Sequence, residues 1–186
     1  MEFIEQKIKG VFEVVMNPFR DERGYFMRSF DRELFEGMGL NKEWVQENHS
    51  YSEKKGIIRG LHCQRPPYAE TKLIRCTRGA VLDVFVDIRC DSPSFGTWGA
   101  LELSERNFKS LFIPEGFAHG FCVLEDHSEI LYKVDSCYSP AHEIGIIWND
   151  LDLNIPWPVK IPYLSDKDKL NMTLKEFIER YKSIKV

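Results

Sequence analysis

The sequence predicts an all-β fold, an antiparallel sandwich or barrel with short peripheral helices and one C-terminal helix. Three observations carry that prediction. Short apolar and β-branched runs recur along the chain, each bounded by Gly, Pro, Asn or Asp turn signals. The stretch from Ala80 to Ile88 alternates cleanly, with Leu82, Val84, Val86 and Ile88 on one face and Asp83 and Asp87 on the other. Only one segment, from Thr173 onward, keeps a long helical period. A chain of 186 residues with 43% hydrophobic and 13% aromatic side chains has material for a full core. We read it as one domain, 1–186, with the β core over about 10–150 and a loop and helix over 151–186.

Taken in order, the N-terminus MEFIEQKIKG mixes charges without an apolar leader core, and no later run reaches membrane-spanning length, so neither secretion nor membrane insertion is expected. Phe12 to Met16 reads as a strand. Asn17-Pro18 and Asp21 to Gly24 mark a turn before a second strand, Tyr25 to Phe30. Asp31 is placed to cap a short helix in DRELFEGMG, with Leu34, Phe35 and Met38 on one face. In WVQENHSYS, Gln46, Asn48 and Ser50 share one face and would carry amide donors into a site; an edge strand or a loop fits the same pattern.

From Ile57 to Gly79, two apolar runs flank the loop QRPPYAET and read as a hairpin-like pair, with Arg59 and His62 on one arm and Lys72 on the other. Inside a barrel such a pair would aim a proton acceptor and a cation at one cavity, as the making and holding of an enolate requires. A structural strand with a satisfied His and a solvated Lys fits the same residues. Ala80 to Ile88 reads as a half-buried central strand whose Asp83 and Asp87 would pair with nearby arginines or support a site. LELSERN and Ser110 to Ile113 read as further strands. In IPEGFAHGFCV, Pro114 and Gly116 form a tight turn before a strand that carries His119. After Ile147 the chain is loop-like and broken by Pro156, Pro158 and Pro162. The last segment has a capping box, Thr173 with Glu176, and a stripe of Leu174, Phe177, Ile178, Tyr181 and Ile184 that would pack outside the barrel.

Net charge of -4 and a pI near 5.8 give no basic field, which excludes a nucleic-acid polymer as partner while leaving local cations for a small anion. The five cysteines form no CxxC pair, and a reducing cytoplasm suits them.

The Pro-x-Gly-x-x-His turn resembles the second motif of the cupin jelly rolls, and the region around His62 sits where their first motif falls. There it reads His62-Cys63-Gln64, with Glu70 as the nearest carboxylate. Gln is a poor transition-metal ligand, so no metal is expected, and the retained His would act as an acid or base. From about Gly10 to about Asp168 the chain is similar to the dTDP-4-dehydrorhamnose 3,5-epimerase (RmlC) family. The resemblance is carried by DERGYF, VQENHSYS, GIIRGLHCQ, KLIRCTRGAVLDVFVDIR, SPSFGTWG, LFIPEGFAHGF, LYKVDSCYSPAHE, IIWND and LSDKD.

That resemblance implies a cupin-type jelly-roll barrel and a cofactor-independent isomerase that inverts C5 and C3 of a nucleotide-linked, most directly dTDP-linked, 4-keto-6-deoxyhexose. It implies His62 as base, Asp168 as its hydrogen-bond partner, Tyr132 as the opposing acid and Lys72 beside the ketone oxygen. It implies substrate contacts from Arg23, Gln46, Asn48, Arg59, His119, Glu143 and Lys167, with Tyr138 stacking on the base. It also implies a homodimer whose N-terminal strands exchange, so that Arg23 and Arg28 would serve the neighbour's site. Where the family usually shows Arg-Gly-x-Phe-x-Glu-x-Phe, this chain has Arg28 in place of the Glu, which predicts an altered base or sugar preference. Cys63, where the family often carries Tyr, is a second difference without a role. The competing readings are epimerisation at C3 alone, a different nucleotide sugar, a metal-dependent cupin dioxygenase and a non-catalytic sugar-nucleotide binding module.

Overall fold

The computed structural model describes residues 1–185. In chain order the strands are β1 (Glu2–Glu5), β2 (Phe12–Val15), β3 (Phe19–Asp21), β4 (Gly24–Phe26), β5 (Gln46–Ser52), β6 (Ile58–Gln64), β7 (Lys72–Arg78) and β8 (Ala80–Asp87), then β9 (Trp98–Ser104), β10 (Lys109–Ile113), β11 (Phe117–Val123), β12 (Ser128–Val134) and β13 (Glu143–Gly145). Helix α1 (Arg32–Gly37) precedes β5, and α2 (Asp166–Lys169) and α3 (Leu174–Tyr181) close the chain. One sheet has the order β1-β2-β10-β7-β12-β5, the other β13-β6-β11-β8-β9, and β3 and β4 form a separate ribbon. Paired strands are antiparallel, and the two sheets form the jelly-roll sandwich.

Burial comes in three layers. Ile74, Leu111 and Ile130 of one sheet meet Val81, Phe85, Leu103 and Phe121 of the other between the sheets. Outside the second sheet, Ile58, Leu61, Val84, Val86 and Ile88 pack against Leu153, Trp157, Leu174 and Phe177 from the C-terminal segment. Outside the first, Val14, Leu73 and Phe112 are covered by Phe35 of α1. The capping box forms as its spacing implies: Thr173 N donates to Glu176 Oε2 at 2.7 Å, and Glu176 N donates to Thr173 Oγ1 at 3.2 Å. Burying Phe177 completely is worth roughly 2–3 kcal/mol. Ile178, placed on the same stripe by periodicity, is 41% exposed.

Several local expectations are corrected. β6 and β7 are not a hairpin: β6 pairs with β11 and β13, whereas β7 pairs with β10 and β12. The 65–71 loop carries the chain from one sheet to the other. It is fixed by Gln64 Nε2 donating to Tyr68 O at 3.0 Å, Tyr68 N to Arg65 O at 2.9 Å and Thr71 N to Asp135 Oδ1 at 2.6 Å. His62 and Lys72 therefore face each other across the sandwich. β8 is buried on both faces because the C-terminal segment covers its outer side, which local alternation cannot register. Asp83 and Asp87 lie on its inner face, Asp83 bonded to His119 and Asp87 to Arg89. The second strand stops at Phe26, and on α1 only Phe35 is buried, Leu34 and Met38 being 45% exposed. β1, which extends the first sheet to Glu2, has no counterpart in the sequence reading.

Two glycines let β6 and β11 approach each other. A Cβ on Gly60, whose φ is +117°, would lie 2.6 Å from Gly120 Cα; one on Gly120 would lie 2.6 Å from Arg59 O. Both obstacles are backbone, so Gly120→Ala is expected to destabilise the protein by about 1–3 kcal/mol through overpacking, read as a lower urea midpoint with unchanged slope.

Candidate active site

The open end of the sandwich holds a cavity of about 820 Å³, lined from both sheets and from the 163–168 segment. Its wall follows from strand alternation. On the first sheet Lys72 pairs with Val134, and Val134 with Gln46; one step along, Tyr132 pairs with Asn48. Residues two apart on a strand share a face, so Gln46, Asn48, Lys72 and Tyr132 form one polar row over the cavity. The row sits partly on β5, at once an edge strand and a wall of the cavity. On the second sheet His62 of β6 and His119 of β11 are direct partners, and Arg59 sits at the bulge beside them.

Asp168 reaches His62 through the segment after β13. Ile58 N donates to Tyr163 O at 3.1 Å and Tyr163 N to Gly56 O at 3.0 Å, tying this segment to the start of β6. Ser165 then caps α2, its Oγ accepting from Asp168 N at 3.0 Å. His62 Nε2 and Asp168 Oδ1 lie 2.6 Å apart. Burial acts to raise the Asp168 carboxyl, but hydrogen bonds from His62, Ser165 and the Gly60 amide, with the charge of His62, outweigh it and hold the group below the usual carboxylate range. An ionised Asp168 fixes the imidazole with Nε2–H donating, which leaves the lone pair on Nδ1. His62 is thus a proton acceptor whose tautomer is set by a buried carboxylate.

The other groups are prepared in the same way. Lys72 is only 8% exposed and bonds to Glu70. Burial, then the charges of Glu70 and Glu143, push the Tyr132 phenol up, with Arg59 opposing, so Tyr132 keeps its proton at neutral pH. Arg59, which lines the cavity, donates to Tyr51 O at 3.0 Å and Ser52 Oγ at 3.3 Å, both neutral acceptors, and among the described residues its charge has no carboxylate partner. His119 Nε2 lies 2.9 Å from Asp83 Oδ1, and burial raises the Asp83 carboxyl against His119 and Lys72. At the rim, Tyr138 N donates to Gln46 Oε1 at 2.7 Å and its hydroxyl to Glu143 Oε2 at 2.6 Å. That bond pushes the Tyr138 phenol up to about 12. Lys167 Nζ lies 2.5 Å from Glu143; against burial, the bonds from Lys167 and Tyr138 hold Glu143 below its ordinary range.

The structure thus brings His62, Lys72, Tyr132 and Asp168 to one cavity with Gln46, Asn48, Arg59, His119, Tyr138, Glu143 and Lys167. It does not bring Arg23 or Arg28 there. Arg23, with an 85% exposed side chain, bonds to Asp21 on the β3–β4 ribbon. Arg28, 66% exposed, bonds to Asp31, the cap of α1, at 2.8 Å. Two lining residues escaped the sequence reading. Gln64 accepts from Ser139 N at 2.6 Å and donates to Cys137 O at 3.2 Å, holding the Tyr138 loop; Glu70 was weighed only as a metal donor, although its two-residue spacing from Lys72 was a signal. Among the described residues no three His, Cys, Asp or Glu side chains form a metal-ligand set. Burial pushes the Cys63 thiol up to about 12, which suits a small apolar side chain.

Comparison with known proteins shows the family of the chain. The family model for dTDP-4-dehydrorhamnose 3,5-epimerase matches residues 5–176. The chain is 52% identical over 169 residues to the dTDP-4-dehydrorhamnose 3,5-epimerase of Shigella flexneri, covering 90% of this chain and 93% of the relative. It is 47% identical over 180 residues to that of Escherichia coli K12, covering 96% and 97%. The crystal structure of the Bacillus anthracis dTDP-4-dehydrorhamnose 3,5-epimerase with TDP and PPi bound superimposes with a TM-score of 0.91 at 46% identity, over 93% of this chain and 99% of that one.

Proposed function

The chain belongs to the dTDP-4-dehydrorhamnose 3,5-epimerase family and has that activity in dTDP-L-rhamnose biosynthesis, and on that premise we propose how its own residues perform the inversion. The substrate is dTDP-4-keto-6-deoxy-D-glucose. Protons on the two carbons flanking its ketone are weakly acidic, and their removal becomes feasible when the charge developing on the ketone oxygen meets a fixed cation. His62 Nδ1 takes the proton, Asp168 stabilises the imidazolium, and Lys72 receives the enolate oxygen. Tyr132 returns a proton from the opposite face, which is what inverts the centre. The ketone itself supplies the activation, so the reaction as we read it uses neither a redox cofactor nor a metal.

The observation that carries this reading is the His62–Asp168 pair at 2.6 Å, opening on the same cavity as Lys72 and Tyr132. We assign Arg59, His119, Gln46 and Asn48 to the diphosphate and sugar, Tyr138 to stacking on the base, and Glu143 and Lys167 to the rim that holds it. Arg23 and Arg28 lie outside this chain's cavity, which supports a homodimer in which the β3–β4 ribbon serves the neighbour; Arg28 would then tune base preference from that position. The whole of 1–186 acts as one catalytic unit in this account. Among the described residues no helix is long and apolar enough to cross a membrane, and the free cysteines suit the cytoplasm.

Tyr132→Phe tests the division of labour. With the base intact and the acid gone, the variant is expected to exchange substrate protons with solvent while net inversion falls by about 100-fold, measured by comparing solvent-deuterium incorporation with product formation. Equal loss of both would assign Tyr132 to binding instead.

A further inference from the structure

We propose that Glu70 is a positioning residue for this reaction: its carboxylate holds the Lys72 ammonium in the cavity, at the place where the oxygen of either enolate develops its charge. The inference rests on the assignment of Lys72 to the ketone oxygen. Glu70 stands near the end of the 65–71 loop, two residues before Lys72 opens β7, and both line the cavity. Their side chains are 13% and 10% exposed and are bonded to each other. The 65–71 loop that delivers Glu70 is itself fixed at both ends, by Gln64 Nε2 on Tyr68 O and by Thr71 N on Asp135. A carboxylate held this firmly beside an ammonium sets where the ammonium rests.

Lys72 has another place to go. Asp83 of β8 is fully buried, and the charge of Lys72 acts on it. One carboxylate oxygen of Asp83 bonds to His119, while Oδ2 has no hydrogen bond among the described residues. Asp83 does not line the cavity. Two carboxylates therefore compete for one flexible ammonium, and Glu70 is the one on the substrate side. An amide at position 70 keeps a hydrogen-bond acceptor but loses the charge, which leaves Asp83 as the stronger anion for Lys72. Other charged or titratable groups lining the cavity with this pair include Arg59, His62 and Cys63 on β6, His119 on β11, Tyr132 on β12, Tyr138 and Glu143; Cys63, Tyr132 and Tyr138 also feel the charge of Glu70.

The two enolates share the C4 oxygen, and that separates action through Lys72 from action through Tyr132 or the sugar's tilt. In deuterated water with dTDP-4-keto-6-deoxy-D-glucose, Glu70→Gln is expected to slow proton loss at C3 and at C5 by the same factor, about 10-fold. Affinity for dTDP stays at the wild-type value, and Glu70→Asp, which restores the charge on a shorter stem, recovers part of the rate. A changed ratio of the two exchange rates, weakened dTDP binding with unchanged turnover, or rates equal to wild type would each overturn the proposal while leaving the epimerase assignment intact. Wild-type protein without exchange at either carbon would overturn that assignment and the proposal with it.

Discussion

Replacing His62 with asparagine is expected to lower turnover by about 1000-fold while leaving dTDP binding and the unfolding midpoint close to wild type. The size follows from removing the ring that this account makes the base, one of whose nitrogens is held by the buried Asp168, since a positioned general base contributes roughly 10²–10⁴-fold. The retained stability follows from the partner. Asp168 is 3% exposed, but it keeps the hydrogen bonds from Ser165 and the Gly60 amide when the imidazole is removed, so the buried carboxylate is not left without partners. Steady-state turnover with a coupled assay, alongside calorimetric titration with dTDP, checks both halves. A loss confined to binding would move His62 from base to ligand contact.

Lys72→Met is expected to cost turnover about 100–1000-fold, the range seen when one preorganised donor to a developing oxyanion is removed. Methionine fills the same slender volume, so the packing on β7 survives, but the cation assigned to the ketone oxygen is gone. This variant also strands Glu70, 13% exposed, without its partner, and breaking such a pair from one side destabilises by about 3 kcal/mol. The double variant Lys72→Met with Glu70→Gln is therefore expected to regain stability without regaining activity, measured by urea denaturation and turnover together. Recovery of turnover in the double variant would remove Lys72 from the chemistry.

The fold class was legible because strand alternation and turn residues are local signals, and the match in fold and family bears that reading out. What stayed hidden was relational. The sequence pairs β6 with β7 because they are adjacent in the chain and flank a turn-rich loop; nothing local says that the 65–71 loop changes sheets. Likewise β8 looks half-buried until residues past 150 cover its outer face. Among the candidate site residues, His62 and Lys72 stood out from their strand setting as a proton acceptor and a cation, Tyr132 and Asp168 were named only from motifs of the resembling family, and the 106-residue separation of His62 from Asp168 makes their hydrogen bond invisible to spacing. Glu70 was overlooked for the opposite reason: as a possible metal donor it was never weighed as the partner of the cation two residues away.

The measurement that reaches the account's centre is proton NMR of dTDP-4-keto-6-deoxy-D-glucose in deuterated water with chelator-treated wild-type protein and with His62→Asn. The account predicts loss of the C3 and C5 proton signals with wild type and slowing by about 1000-fold at both carbons in the variant, because one base serves both positions. Persistence of exchange at either carbon in His62→Asn at the wild-type rate would contradict it.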